Sequence, residues 1–116
     1  MVERGLWSLC KTFDAFTDEQ SFDASDDYQK VYSIAERIPQ GTYPFSITFK
    51  ITNGETTGNL YVQFKDSDGT LYAEITVEAG KTGLIHFPPV LTLEVYTKGN
   101  AGTLKVEAFL ASVSSA

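Results

Sequence analysis

From Tyr43 to Leu110 the chain is written in short runs of alternating apolar and polar residues, each closed by glycine, proline, asparagine or aspartate. Successive side chains of a strand point to opposite faces, so a two-residue period marks a strand with one buried face. Phe45, Ile47, Phe49 and Ile51 form one such set, with Ser46, Thr48, Lys50 and Thr52 facing the other way. After the turn residues Asn53–Gly58 come Leu60, Val62 and Phe64. Beyond the hairpin turn Asp66-Ser67-Asp68-Gly69 come Leu71, Ala73, Ile75 and Val77. A short strand is expected near Leu84 to Phe87, ended by Pro88-Pro89, because proline cannot donate to a ladder. Leu91, Leu93 and Val95, then Leu104, Val106, Ala108 and Leu110, give the last two inward sets.

So many short strands leave no room for a long helix. A chain of 116 residues, 42% of them hydrophobic and 21% charged, fills one core. The expectation is an all-β fold: an antiparallel two-sheet sandwich, jelly-roll-like, of seven or eight strands.

The first 42 residues are less regular. Short strands are expected at Gly5 to Leu9 and at Lys30 to Ile38, although Val31, Ile34 and Ile38 also fit a helical turn. Residues 1–27 hold seven acids against two bases, and residues 28–116 hold eight against seven, so most of the net charge of −6 belongs to the first part. The reading is therefore an acidic, irregular N-terminal arm, 1–27, followed by a sandwich domain, 28–116. Neither part offers the basic stripe that nucleic acid requires. The chain start lacks the apolar run of a signal peptide, and no stretch approaches the ~20 apolar residues of a membrane span.

Each motif with chemical promise has a plainer explanation. Asp66-Ser67-Asp68-Gly69 opens like a calcium loop, but Val77 occupies the twelfth position, where a bidentate glutamate would belong. Gly80-Lys81-Thr82 resembles the end of a phosphate loop, but Ile75 replaces the first glycine. The single cysteine, Cys10, has no internal disulfide partner, and with the single histidine, His86, it is too small a set for zinc. His86 alternates out of phase with Ile85 and Phe87, which reads as a surface histidine and not a general base. No catalytic residue, metal or cofactor is expected.

Two features point to binding. Tyr61, Tyr72 and Tyr96 each lie out of phase with the aliphatic set of their strand, so a row of tyrosines should face outward. Such a row stacks on sugars, buries against protein, or simply covers its own strands. The arm carries Leu6, Trp7, Leu9, Phe13, Phe16 and Phe22 among its acids, and groups of that size must be buried somewhere.

The turn Gly80-Lys81-Thr82-Gly83, the run Pro88-Pro89-Val90-Leu91 and the hairpin Gly99-Asn100-Ala101-Gly102-Thr103-Leu104 give the chain a pattern that resembles the small jelly-roll cement or decoration proteins of tailed bacteriophage capsids. The resemblance implies a non-enzymatic virion protein, made in the host cytoplasm. It would self-associate as a dimer or trimer and clamp capsid subunits, with Trp7, Phe13 and Phe16 as anchors. The alternative expectation is a carbohydrate-binding sandwich in which Tyr61, Tyr72 and Tyr96 hold a glycan.

Overall fold

The computed structural model describes the backbone of residues 9–88 and 92–115, and the side chains of 14–88 and 92–112. Eight strands form: β1 (Leu9–Phe22), β2 (Ser25–Ser33), β3 (Tyr43–Asn53), β4 (Asn59–Asp66), β5 (Leu71–Glu78), β6 (Thr82–Phe87), β7 (Leu93–Gly99) and β8 (Gly102–Ser115). One helical turn, α1 (Ile34–Arg37), follows β2. Two antiparallel sheets result, in the orders β1-β8-β3-β6 and β2-β7-β4-β5. The pairings β1 with β8, β2 with β7, β3 with β6 and β4 with β5 are nested. A long hairpin folded over on itself in this way is a jelly roll, so the expected sandwich is the observed one.

The alternating sets build the core as their period dictates. Ile47, Phe49 and Ile51 of β3 and Leu104 and Val106 of β8 face Leu60, Val62 and Phe64 of β4 and Leu93 and Val95 of β7, all at most 1% exposed. Phe49 bridges the sheets, its ring centroid 5.4 Å from that of Phe64 and 6.0 Å from that of Phe87. Each fully buried side chain of this size contributes about 1.5–3 kcal/mol relative to exposure. The core is therefore the main source of stability, and it fixes which faces remain for function.

Some expectations change. Residues 9–22, read as irregular arm, form a strand paired along its whole length with β8, from Leu9↔Ser115 to Phe22↔Gly102. The division at 27/28 consequently falls inside β2. Acidic residues obscured β1 because Asp14 and Asp18 sit opposite Leu110 and Val106, on the inward side, where a strand pattern calls for apolar groups.

Phe45 does not join Ile47 and Phe49. The β3–β8 register shifts between Pro44 and Ser46, so Pro44 turns inward and Phe45 is left 54% exposed. Leu71 leaves the inward set and is 49% exposed, because the register of the edge strand β5 with β4 shifts between Phe64 and Lys65, so that Leu71 pairs with the outward Lys65. For the segment from Lys30 to Ile38, both readings hold in part: the strand runs to Ser33, and one helical turn then buries Ile34.

Candidate functional site

The outward face of β2-β7-β4-β5 gathers most of the tyrosines. Tyr61 on β4 pairs with Lys98 on β7, and the Lys98 ammonium stands 5.5 Å from the Tyr61 ring centroid and 5.1 Å from that of Tyr28 on β2. One row along, the Lys65 ammonium stands 5.2 Å from the Tyr96 ring, and the Tyr96 hydroxyl donates to Glu94 at 3.0 Å. Gln63 donates to Glu74 at 2.6 Å across β4 and β5, and Lys30 lies 3.7 Å from Glu94. Burial, followed by the charge of Glu74, raises the Tyr28 hydroxyl above its ordinary pKa. Burial and the bond to Glu94 do the same for Tyr96.

Tyr61 and Tyr96 thus meet on one face with Tyr28, which sequence reasoning had left in the irregular region. All three rings carry an ammonium group, a cation–π arrangement in which the aromatic faces are already in use. Tyr72 stands apart and donates to Asp66 at 2.9 Å.

Asp66 and Asp68 act as turn caps. Asp66 accepts from the Thr92 hydroxyl, from the Ser67 amide at 2.8 Å and from Tyr72, and the Thr92 bond is foremost in holding its carboxyl below the usual range. Asp68 accepts from the Thr70 amide at 2.9 Å. Among the described residues, no group of three or more His, Cys, Asp or Glu side chains converges as metal ligands would. His86 lies on the exposed side of β6, with its Nδ1 3.0 Å from the Thr48 hydroxyl opposite.

The apolar residues of the first segment divide. Leu6 and Trp7 lie outside the described residues. Leu9 and Phe13 belong to β1, but their side chains lie outside them. Phe22 is 8% exposed in the chain's own core, and Phe16 packs against the same core. Both lie on the side of β1 that faces the core, opposite Ala108 and Gly102 of β8.

The large apolar groups that do remain in water include Leu84 on β6, 63% exposed, and Phe109 on β8, 54% exposed, both on the outward face of β1-β8-β3-β6. Recesses among the described residues are shallow, and one runs along β1 and β8 past Thr17, Glu19, Lys105 and Glu107. No helix among the described residues is long and apolar enough to cross a membrane.

No protein-family model matches the chain, and no curated protein does. Solved structures are similar to it. One is described as Bacillus endospore appendages that form disulfide-linked pili, with a TM-score of 0.60 and 16% identity over 92% of this chain and 91% of that chain. Another is a family 11 carbohydrate-binding module from Clostridium thermocellum in complex with a β-1,3-1,4-mixed-linked tetrasaccharide. It has a TM-score of 0.34 and 13% identity over 90% of this chain and 88% of that one. A third is infectious bursal disease virus, Gx strain, with a TM-score of 0.30 and 15% identity, covering 92% of this chain and 32% of that chain. The two weaker overlaps carry no argument, and at its low identity the pilus subunit shares with this chain a fold and nothing more.

Proposed function

We propose that this chain is a non-enzymatic structural subunit that works by associating with other protein subunits, its own copies among them. The observation that carries this reading is the placement of Leu84 and Phe109: large apolar groups left in water on an open sheet face. Open apolar surface of this kind suits a protein partner, whereas small ligands are held in concave pockets. The finer reading, a decoration or cement protein of a phage capsid residing in the virion, rests on the sequence resemblance. The likeness to a pilus subunit supports the broader class, because that protein too is described as assembling.

A carbohydrate-binding module is the second reading, favoured by the meeting of Tyr28, Tyr61 and Tyr96 on one face. It requires Lys98 and Lys65 to leave the rings before a sugar can stack there. Light scattering of the full-length chain over a range of concentrations, with a parallel pull-down on insoluble β-glucans, separates the two. The expected result is a mass of two or more chains and no retention on glucan. A monomer retained on the polysaccharide overturns the proposal in favour of the second reading.

A further inference from the structure

Two open sheets leave four edge strands among the described residues: β1 and β6 on one sheet, β2 and β5 on the other. An edge presents unpaired backbone N–H and C=O groups to any strand that approaches, and monomeric proteins guard it with charges or bulges. Three of these edges are guarded. β1 carries Asp14, Asp18 and Glu19, and β5 carries Glu74 and Glu78. β2 carries Asp26, Asp27 and Lys30, and its register with β7 is irregular. β6, Thr-Gly-Leu-Ile-His-Phe, contains no Asp, Glu, Lys or Arg, pairs with β3 without a register shift, and exposes Leu84.

We infer that β6 is the edge at which a second copy of this chain joins, antiparallel and about a two-fold axis at Ile85, giving one sheet continuous across both copies. The inference rests on the assembly reading and names its contact. A second copy is the occupant because β6 alone among these edges can meet itself without setting carboxylates of one strand beside those of the other. The register follows from the two-residue period. Paired residues share a face, so Leu84, on the outward side, must meet a residue of even number in the other copy.

An axis at Ile85 sets Leu84 of one copy opposite His86 of the other, twice. It also sets Ile85 opposite Ile85 and Gly83 opposite Phe87, using the strand up to Pro88, which ends it. An axis at Leu84 would pair as many residues within the strand but would set Lys81, just before it, opposite the buried Phe87. With the axis at Ile85, Leu84 lies diagonal to Leu84 of the other copy, and the partly buried Ile85 is covered at its open side.

The test uses the full-length chain and light scattering across concentrations, with Leu84→Lys and the double variant Leu84→Lys/His86→Glu. Both positions are exposed on the outward face, so near-ultraviolet circular dichroism should be unchanged in each variant. The expected result is a wild-type dimer, weakened about tenfold or more by Leu84→Lys and restored in the double variant, where the ammonium introduced on one copy meets the carboxylate introduced on the other. A mass above one chain that Leu84→Lys leaves unchanged overturns the β6 contact while the assembly reading stands. Failure of the double variant to restore a dimer lost in Leu84→Lys overturns the Ile85 register. A wild-type chain that stays monomeric overturns both the contact and the assembly reading.

Discussion

Arg37 grips Asp18 at two points across the open side of the sandwich, Nε to Oδ2 at 2.8 Å and Nη2 to Oδ1 at 2.9 Å. Asp18 lies on β1, at the edge of one sheet, and Arg37 in the turn that follows β2, at the edge of the other. The Tyr32 hydroxyl adds a third bond to Oδ2 at 3.0 Å, and the Arg37 guanidinium lies 5.6 Å from the Tyr32 ring centroid. An aspartate facing inward on an edge strand would otherwise lose its water without compensation. The clasp makes it the group that ties β1 to the opposite sheet.

The clasp has a pH dependence of defined sign. Chiefly through the Arg37 bonds, the Asp18 carboxyl is held below its ordinary value of 3.8. A depressed carboxylate stabilises the fold above its unfolded value, and that contribution is lost as pH falls through the folded one. Thermal unfolding from pH 7 to pH 2 should therefore show a steeper acid loss in the wild type than in Asp18→Asn. Arg37→Ala should cost about 1 kcal/mol at pH 7 and much less at pH 2. Parallel pH profiles for the wild type and Asp18→Asn would show that the pair contributes nothing.

Tyr32 supplies a second titration, at the alkaline end. It is 3% exposed, and burial, reinforced by the nearby Asp18 charge, pushes its hydroxyl far above the ordinary value of 10.0. A group held neutral in this way stabilises the fold below pH 10, and that contribution is lost as pH rises beyond it. In an absorbance titration at 295 nm, one tyrosine should ionise only together with alkaline unfolding, and Tyr32→Phe should remove that late step. A late step that persists in Tyr32→Phe assigns it elsewhere.

The strands from β3 to β8 were legible because most of their length keeps its period over a buried face, and Ile47, Phe49, Val62, Phe64, Leu104 and Val106 all lie where alternation puts them. Phe45 was misread because a bulge inserts one residue without leaving a mark in an alternating pattern. β1 was missed because its inward positions include Asp18 and Gln20, opposite Val106 and Leu104. Asp18 is tolerable there only because of Arg37, nineteen residues away in the chain. The tyrosine face was half legible: phase placed Tyr61 and Tyr96 outward, but the lysines over their rings depend on cross-strand register, as does the arrival of Tyr28 beside them.

Asn53 organises one end of the sandwich. It is 1% exposed, donates to the carbonyls of Val77 at 3.0 Å and Gly58 at 3.2 Å, and accepts from the Glu55 amide and the Asn100 side chain, each at 3.1 Å. Asn53→Asp would aim a carboxylate at two carbonyl oxygens and should cost about 3 kcal/mol. The adjacent Gly54 amide, the nucleophile in deamidation of an Asn-Gly pair, is bonded to the Ala101 carbonyl at 3.0 Å. Peptide mapping of aged protein at pH 8 should find Asn53 intact in the folded state and deamidated in urea. Equal rates in the two conditions would mean that this network does not hold.

Gly99 closes the same end under a steric constraint. Its φ is +92°, and a Cβ there would press into the carbonyl oxygen of Asn59, whose own chain partner in the turn is the Asn100 amide at 3.1 Å. Strain and collision act together in Gly99→Ala, which should lose about 2–3 kcal/mol. Gly69 has a φ of +92° as well but open space around its Cα, so Gly69→Ala should lose only about 1 kcal/mol, from strain alone. Chemical denaturation of both variants measures the difference, and equal losses would remove the close approach of β4 as a cause.

Lys98 offers the sharpest test of the tyrosine face. Its ammonium is shared between the rings of Tyr28 and Tyr61, on two strands that are not neighbours in the sheet, with β7 between them. If the contacts stabilise the fold, a double-mutant cycle of Lys98→Met and Tyr61→Leu should give a coupling of about 0.5–1 kcal/mol that is only slightly reduced by salt. Lys98→Met keeps the aliphatic stem and removes the charge, so its effect isolates the cation from the packing. The same variant bears on the glycan reading: a face that binds sugar through Tyr28 and Tyr61 should bind more tightly once the ammonium is gone. A coupling near zero, with glucan binding gained in Lys98→Met, would mark the rings as a platform that the lysine merely covers.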